Sequence, residues 1–226
     1  NNSAFGLYAL RNNTIGTHNA AFGRAALQSN LTGLNNSAFG NYALLNNNGG
    51  SRNSAFGREA LYSNSTSDNS AFGYRALFAN TTGFRNSAFG IYSLKSNTSG
   101  TYNTAFGYRS LASNVLGNYN VAIGSDALNA NTANYNVAIG TNALKNNTTG
   151  TYNTAVGYES LVLNTIGANN SAFGGYALRS NTIGANNTAI GLNSMYYNTT
   201  GGQNTAVGRS ALQNNTIGYN NSAFGY

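Results

Sequence analysis

Few side chains in this sequence could carry out acid–base or metal chemistry. A single histidine, His18, stands with four carboxylates, Glu59, Asp68, Asp126 and Glu159, and there is no cysteine. That excludes disulfides and thiolate zinc sites and leaves almost nothing for general acid–base catalysis. The carboxylates stand alone or beside basic neighbours, which does not make a glycosidase pair. Glycines recur at regular intervals without forming G-x-G-x-x-G or a P-loop, so no nucleotide site is indicated. The expectation is a protein that is not an enzyme and has no catalytic residues, no cofactor and no metal. The most distinctive local feature is aromatic: Tyr102, Tyr119, Tyr135 and Tyr152 follow one another at intervals of 17, 16 and 17 residues. Stacked in register they would form an exposed ladder able to meet sugar rings or a partner surface. Equally, such a ladder would pin neighbouring segments together by aromatic pairing.

Those intervals belong to a repeat that runs through all 226 residues. Ala-[Phe/Ile/Val]-Gly starts at Ala4 and recurs to Ala223 every 17 residues, with two intervals of 16. Numbered from Asn2 as column 1, each unit reads N-[ST]-A-[FIV]-G-x-x-[AS]-L-x-x-N-T-x-G-x-x, and thirteen full units are followed by a partial one. A fixed period of this length signals a solenoid in which each unit buries its apolar face on the next. The chain is expected to be one repeat array over 1–226, a segment of a longer fibre protein.

The columns describe one coil. Columns 1 to 4 alternate in the manner of a short strand, and Phe, Ile and Val at column 4 favour that state. The restricted positions then fall at columns 5, 8, 9 and 12, a spacing that predicts one or two helical turns. Glycine at column 15, as in Gly16, Gly33 and Gly150, suits a residue of positive φ closing the coil, and both 16-residue units lack it. Column 4 and the leucines of column 9 supply 27 apolar anchors, a thin core for a chain this long. Amide stacks of the Asn in columns 1 and 12, and burial of the Ala column against another chain, are the expected supplements. The fold class is therefore mainly β: a parallel β-solenoid, one strand and one short helical turn per coil.

Charge supports in-register stacking. Only 7% of residues are charged, with 11 Lys and Arg against 4 Asp and Glu, while 43 are Asn. Charges are confined to columns 6, 7, 10 and about 17, which should face water. Stacking places Glu59 one coil from Arg75, Arg109 one coil from Asp126, and Asp68 between Arg52 and Arg85, so that like charges are not adjacent there. The basic residues are dispersed and form no continuous stripe, so nucleic acid is not an expected partner, although acidic polysaccharide fits a net charge of +7. Sequons such as those at Asn12, Asn30, Asn64, Asn80, Asn97 and Asn198 arise from the Asn-Thr columns. No apolar run approaches the roughly 18 residues of a membrane span.

Gly117-Asn118-Tyr119-Asn120-Val121-Ala122-Ile123-Gly124 resembles the head repeat of YadA-type trimeric autotransporter adhesins, as does Asn136-Val137-Ala138-Ile139-Gly140. Asn187-Thr188-Ala189-Ile190-Gly191 is equally similar to repeats of phage-type tail fibres. The resemblance implies a left-handed parallel β-roll, three chains side by side, and display on a cell or virion surface. The coil here is longer than the family's usual one. No family binding motif maps onto these residues.

The expected function is a structural and adhesive module of a surface adhesin or tail fibre, extracellular, self-associating as a homotrimer, with a glycan or host-surface receptor as its partner. Two alternatives follow from the same repeat. The threonines of column 13, among them Thr14, Thr81, Thr148 and Thr199, suggest an ice-binding face, interrupted at Leu31, Asn48, Ser65 and Val115. Unpaired strand edges suggest a self-assembling filament.

Overall fold

A computed structural model describes residues 1–226. It divides into two compact units, Asn1–Leu116 and Gly117–Tyr226, built in the same way. Each holds seven strands of three residues, one per coil: Ser3–Phe5 through Thr104–Phe106 in the first, Val121–Ile123 through Ser222–Phe224 in the second. Within a unit each strand pairs in parallel with the next along the chain, and like columns face each other: Ala38 with Ala55, Phe39 with Phe56, Ala138 with Ala155.

The strand faces the opposite way from the expected core. The column 3 alanines point inward and are fully buried from Ala21 to Ala206, while the large apolar residues of column 4 point out. The small column is thus packed inside the coil and not against another chain. Inside, alanines of columns 3 and 8 and the leucines of column 9, with Met195 in one coil, fill a narrow interior flanked by buried Asn. A strand of three residues leaves too little width for a phenyl ring to point inward. A methyl group fits.

No helix forms between columns 5 and 12. The backbone instead makes a string of tight turns: the N–H groups of Ala9, Arg11 and Asn13 bond back to the carbonyls of Gly6, Tyr8 and Leu10 at 3.1–3.3 Å. The intervening N–H groups bond to a neighbouring coil, Leu10 to Ala26 O at 3.0 Å and Asn12 to Gln28 O at 2.9 Å. This alternation requires left-handed backbone at columns 7 and 9, so Leu27, Leu44, Tyr42 and Glu59 all take φ of 50–60°. Such residues cost about 1 kcal/mol or more each outside glycine, offset here by the inter-coil bonds they permit.

The glycine of column 15 is required for space. Its φ is not positive; the left-handed residue of that turn is column 17, including Asn35, Arg52 and Tyr135. A Cβ on Gly33 would lie 2.3 Å from the carbonyl oxygen of Gly50 in the next coil and 2.4 Å from Asn30 Oδ1. The deletions of the 16-residue units do fall here. Thr66 and Ala133 take over the carbonyl that the glycine otherwise provides, accepting from Asn53 and Asn64 and from Asn120 and Asn131 at 2.7–2.9 Å.

Two amide ladders hold the coils together, as the Asn columns suggested. In column 12, Asn47 Nδ2 donates to Asn30 Oδ1 in the preceding coil and to the Gly50 carbonyl of its own. In column 1, Asn36 Oδ1 accepts from both the backbone and side-chain N–H of Asn53, at 2.9 and 3.1 Å. These bonds recur in most coils; after the two 16-residue units, Asn69 and Asn136 instead direct their side-chain N–H to Asn64 and Asn131 Oδ1 at 3.2 Å, in an interior where an unpaired amide is costly.

Candidate functional site

Three faces of the coil carry side chains outward. The first is the strand face. From Phe22 to Phe106 the column 4 rings stack with centroids 4.3–4.8 Å apart and planes within 3–12° of parallel. In the second unit Ile123, Ile139, Phe173 and Ile190 continue the column and are 38–42% exposed. This is an apolar stripe on the surface of each unit, set by the strand's phase. A sequence reading that assigns these residues to the interior misses it, because alternation identifies two faces without saying which one is inside.

The second face carries the tyrosine ladder. Tyr119, Tyr135 and Tyr152 stack with centroids 5.3 and 4.9 Å apart and nearly parallel planes, each 44–58% exposed. Tyr102 belongs to the first unit, where its ring meets Phe84 edge-on at 5.5 Å and its hydroxyl accepts a hydrogen bond from Arg85. The guanidinium of Arg85 also lies 5.3 Å from the Tyr102 ring centroid. All four tyrosines have left-handed backbone, φ 57–60°, at a position held by Asn in several other coils.

The third face is made by columns 6, 7 and 10, where most charges lie. Carboxylates here are paired with cations. Glu59 meets Arg75 at 2.5 Å and Arg58 at 3.0 Å, and Glu159 meets Arg179 at 2.9 Å. Asp126 lies 3.9 Å from Lys145, and at column 17 Asp68 meets Arg52 at 2.6 Å. The pairs Glu59–Arg75 and Arg52–Asp68 are those that stacking predicts. Hydrogen bonding from Arg75 holds the Glu59 carboxyl below the usual range against the opposing effect of its burial, and Arg52 does the same for Asp68. The one histidine is exposed, with Nδ1 3.1 Å from Thr17 Oγ1. Aromatic rings sit among these charges: Lys95 Nζ lies 5.1 Å from the Tyr92 ring centroid, and Arg24 and Arg179 lie 5.4 and 5.5 Å from Tyr42 and Tyr196.

Two further sequence features have structural partners. Asn30, Asn64, Asn80, Asn97 and Asn198 are fully buried in the column 12 ladder, so among the sequons named above only Asn12 is open to modification in the folded chain. The column 13 hydroxyls of Thr148, Thr165, Thr182 and Thr199 donate to the carbonyl of the next coil at 3.0–3.1 Å. Their hydrogens are therefore directed along the stack. No model of a known protein family matches this chain, and neither does any curated protein sequence.

Proposed function

We propose that this chain is a structural and adhesive fibre module, as in a surface adhesin or tail fibre, displayed outside the cell or on a virion and assembled as a homotrimer. The observation that carries the reading is the column of stacked phenyl rings from Phe22 to Phe106, which faces out of the coil. A continuous outward-facing apolar stripe, its middle rings half-buried by their own stacking, is a surface that another surface can cover. A repeating chain supplies a matching one most simply through its own copies, which present the same residues at the same spacing. The resemblance of Asn118–Gly124 and Asn187–Gly191 to adhesin and tail-fibre repeats makes three copies the expected number.

The tyrosine ladder of Tyr119, Tyr135 and Tyr152, with Tyr102, and the basic aromatic face of columns 6, 7 and 10 are then the surfaces for attachment. Ice binding fits less well, because the column 13 hydroxyl donors are engaged with backbone carbonyls. Light scattering on the purified chain tests the assembly. A mass three times the 23.5 kDa of one chain supports the reading, and a single-chain mass at all concentrations overturns it.

A further inference from the structure

Within the first unit, the third face opens into a groove of about 430 Å³ between Tyr92, Lys95 and Ser96 of one coil and Tyr108, Arg109 and Ser113 of the next. We infer that this groove binds an anionic pyranose, a uronic or sialic acid residue of an acidic polysaccharide. The lining supplies three things that such a ring requires: flat aromatic surface at Tyr92 and Tyr108, cations at Lys95 and Arg109, and hydroxyls at Ser96 and Ser113. Its volume lies in the range of small-ligand pockets. Tyr108 is 48% exposed, so a sugar face has a ring to lie on.

Lys95, like Arg11, Arg24, Arg85 and Arg209, stands apart from the ion pairs, and of these it is the one that lines the groove. Arg52, Arg58, Arg75, Lys145 and Arg179 are each paired with a carboxylate. Lys95 is not among them, and no Asp or Glu lines the groove. A second groove on the same face, between Tyr42, Tyr62 and Phe78, has the same aromatic character, but its cation Arg75 is neutralised by Glu59 at 2.5 Å. The two grooves therefore differ at Lys95, the cation that would select for a negative charge. The cations of the larger one are also local: in column 10, Lys95 is followed one coil on by Ala112 and preceded by Phe78. That spacing suits one acidic ring better than the regular phosphates of a nucleic acid strand.

This inference rests on the attachment part of the fibre reading and gives it a ligand class. The groove lies within one chain, so a sugar titration reports on it whatever mass light scattering finds. The test is calorimetric titration of the full chain with trigalacturonic acid, with neutral galactotriose and with a short oligothymidylate. The acidic trisaccharide should bind, the neutral one at least about fivefold more weakly, and raising salt from about 20 to about 200 mM should weaken the acidic one. Lys95→Gln should lower affinity about fivefold or more and remove most of the salt dependence, and Tyr108→Leu should lower it about threefold. Equal binding of acidic and neutral sugars, no binding of either, unchanged affinity in a folded Lys95→Gln chain, or tighter binding of the oligonucleotide would each overturn the inference.

Discussion

Asn47 donates from its side-chain amide to the side-chain oxygen of Asn30 at 2.9 Å, with both residues fully buried. The same nitrogen reaches the Gly50 carbonyl, so both of its hydrogens are used, and Asn47 Oδ1 accepts in turn from Asn64 at 3.2 Å. A side chain that donates two hydrogens and also accepts along the stack must be an amide. Asn47→Asp should therefore cost roughly 3 kcal/mol or more, because it puts a buried carboxylate, which has no hydrogen to donate, beside the acceptors Asn30 Oδ1 and Gly50 O. Asn46→Asp, one residue away and exposed, should change stability by less than about 0.5 kcal/mol. Urea denaturation of the two variants, followed by circular dichroism, gives the comparison. Equal stabilities would mean that the ladder is not what joins the coils.

Two glycines of the second unit separate steric need from conformational freedom. A Cβ on Gly167 would lie 2.4 Å from Gly184 O and 2.5 Å from Asn164 Oδ1, whereas on Gly175 it would lie 3.4 Å from Leu192 Cδ1. Neither has positive φ. Gly167→Ala should destabilise by about 2–3 kcal/mol through overpacking of the turn. Gly175→Ala should be neutral or stabilising by up to about 1 kcal/mol, since it only restricts the unfolded chain. Thermal melts of both proteins would show the split, and a tolerated Gly167→Ala would contradict the close approach of successive coils.

The period, the parallel register, the two Asn ladders and the Glu59–Arg75 pair were legible in the sequence because each follows from stacking identical columns. Two features were not. Columns 5, 8, 9 and 12 have a helix-like spacing, but the arc is a string of turns, and nothing in a leucine such as Leu44 announces a φ of 50°. Its conformation is imposed by the neighbouring coil, whose bonds to Leu44 and Asn46 take the places of helical ones. The phase of the strand was hidden for a related reason. Phe56 is the more apolar residue, yet Ala55 is the one that fits between the strand and the leucine column. Coil width decides, and width is a property of the whole turn. Of the candidate site, the tyrosine ladder was visible as a column, whereas the groove at Tyr92 and Tyr108 joins different columns of adjacent coils and leaves no periodic trace.

Acid should weaken the first unit in a defined way. Glu59 and Asp68 are held below their ordinary range by Arg75 and Arg52, so their contribution is complete above the unfolded carboxyl pKa values of about 4. It is lost as pH falls through the lowered folded values. Stability should thus decline below about pH 4, and Glu59→Gln with Asp68→Asn should flatten that decline while lowering stability at neutral pH. Denaturation midpoints across the acid range measure this, and parallel curves for both proteins would exclude these pairs as the cause.

The outward phenyl column makes a separate prediction about assembly. Phe56→Lys with Phe72→Lys removes apolar surface from the strand face without touching the alanine and leucine interior. The variant should keep its circular dichroism spectrum and shift in light scattering from a three-chain to a single-chain mass. Retention of the larger mass would place the contact on another face.

The most direct measurement puts a photo-reactive benzoylphenylalanine in place of Phe72, in the middle of the stack between Phe56 and Phe89. Irradiation at low protein concentration should yield two- and three-chain products, with the cross-link mapping to the strand columns of a neighbouring chain. Products confined to single chains, under conditions where the probe reacts fully, would show that the phenyl column faces solvent and that the chain does not assemble through it.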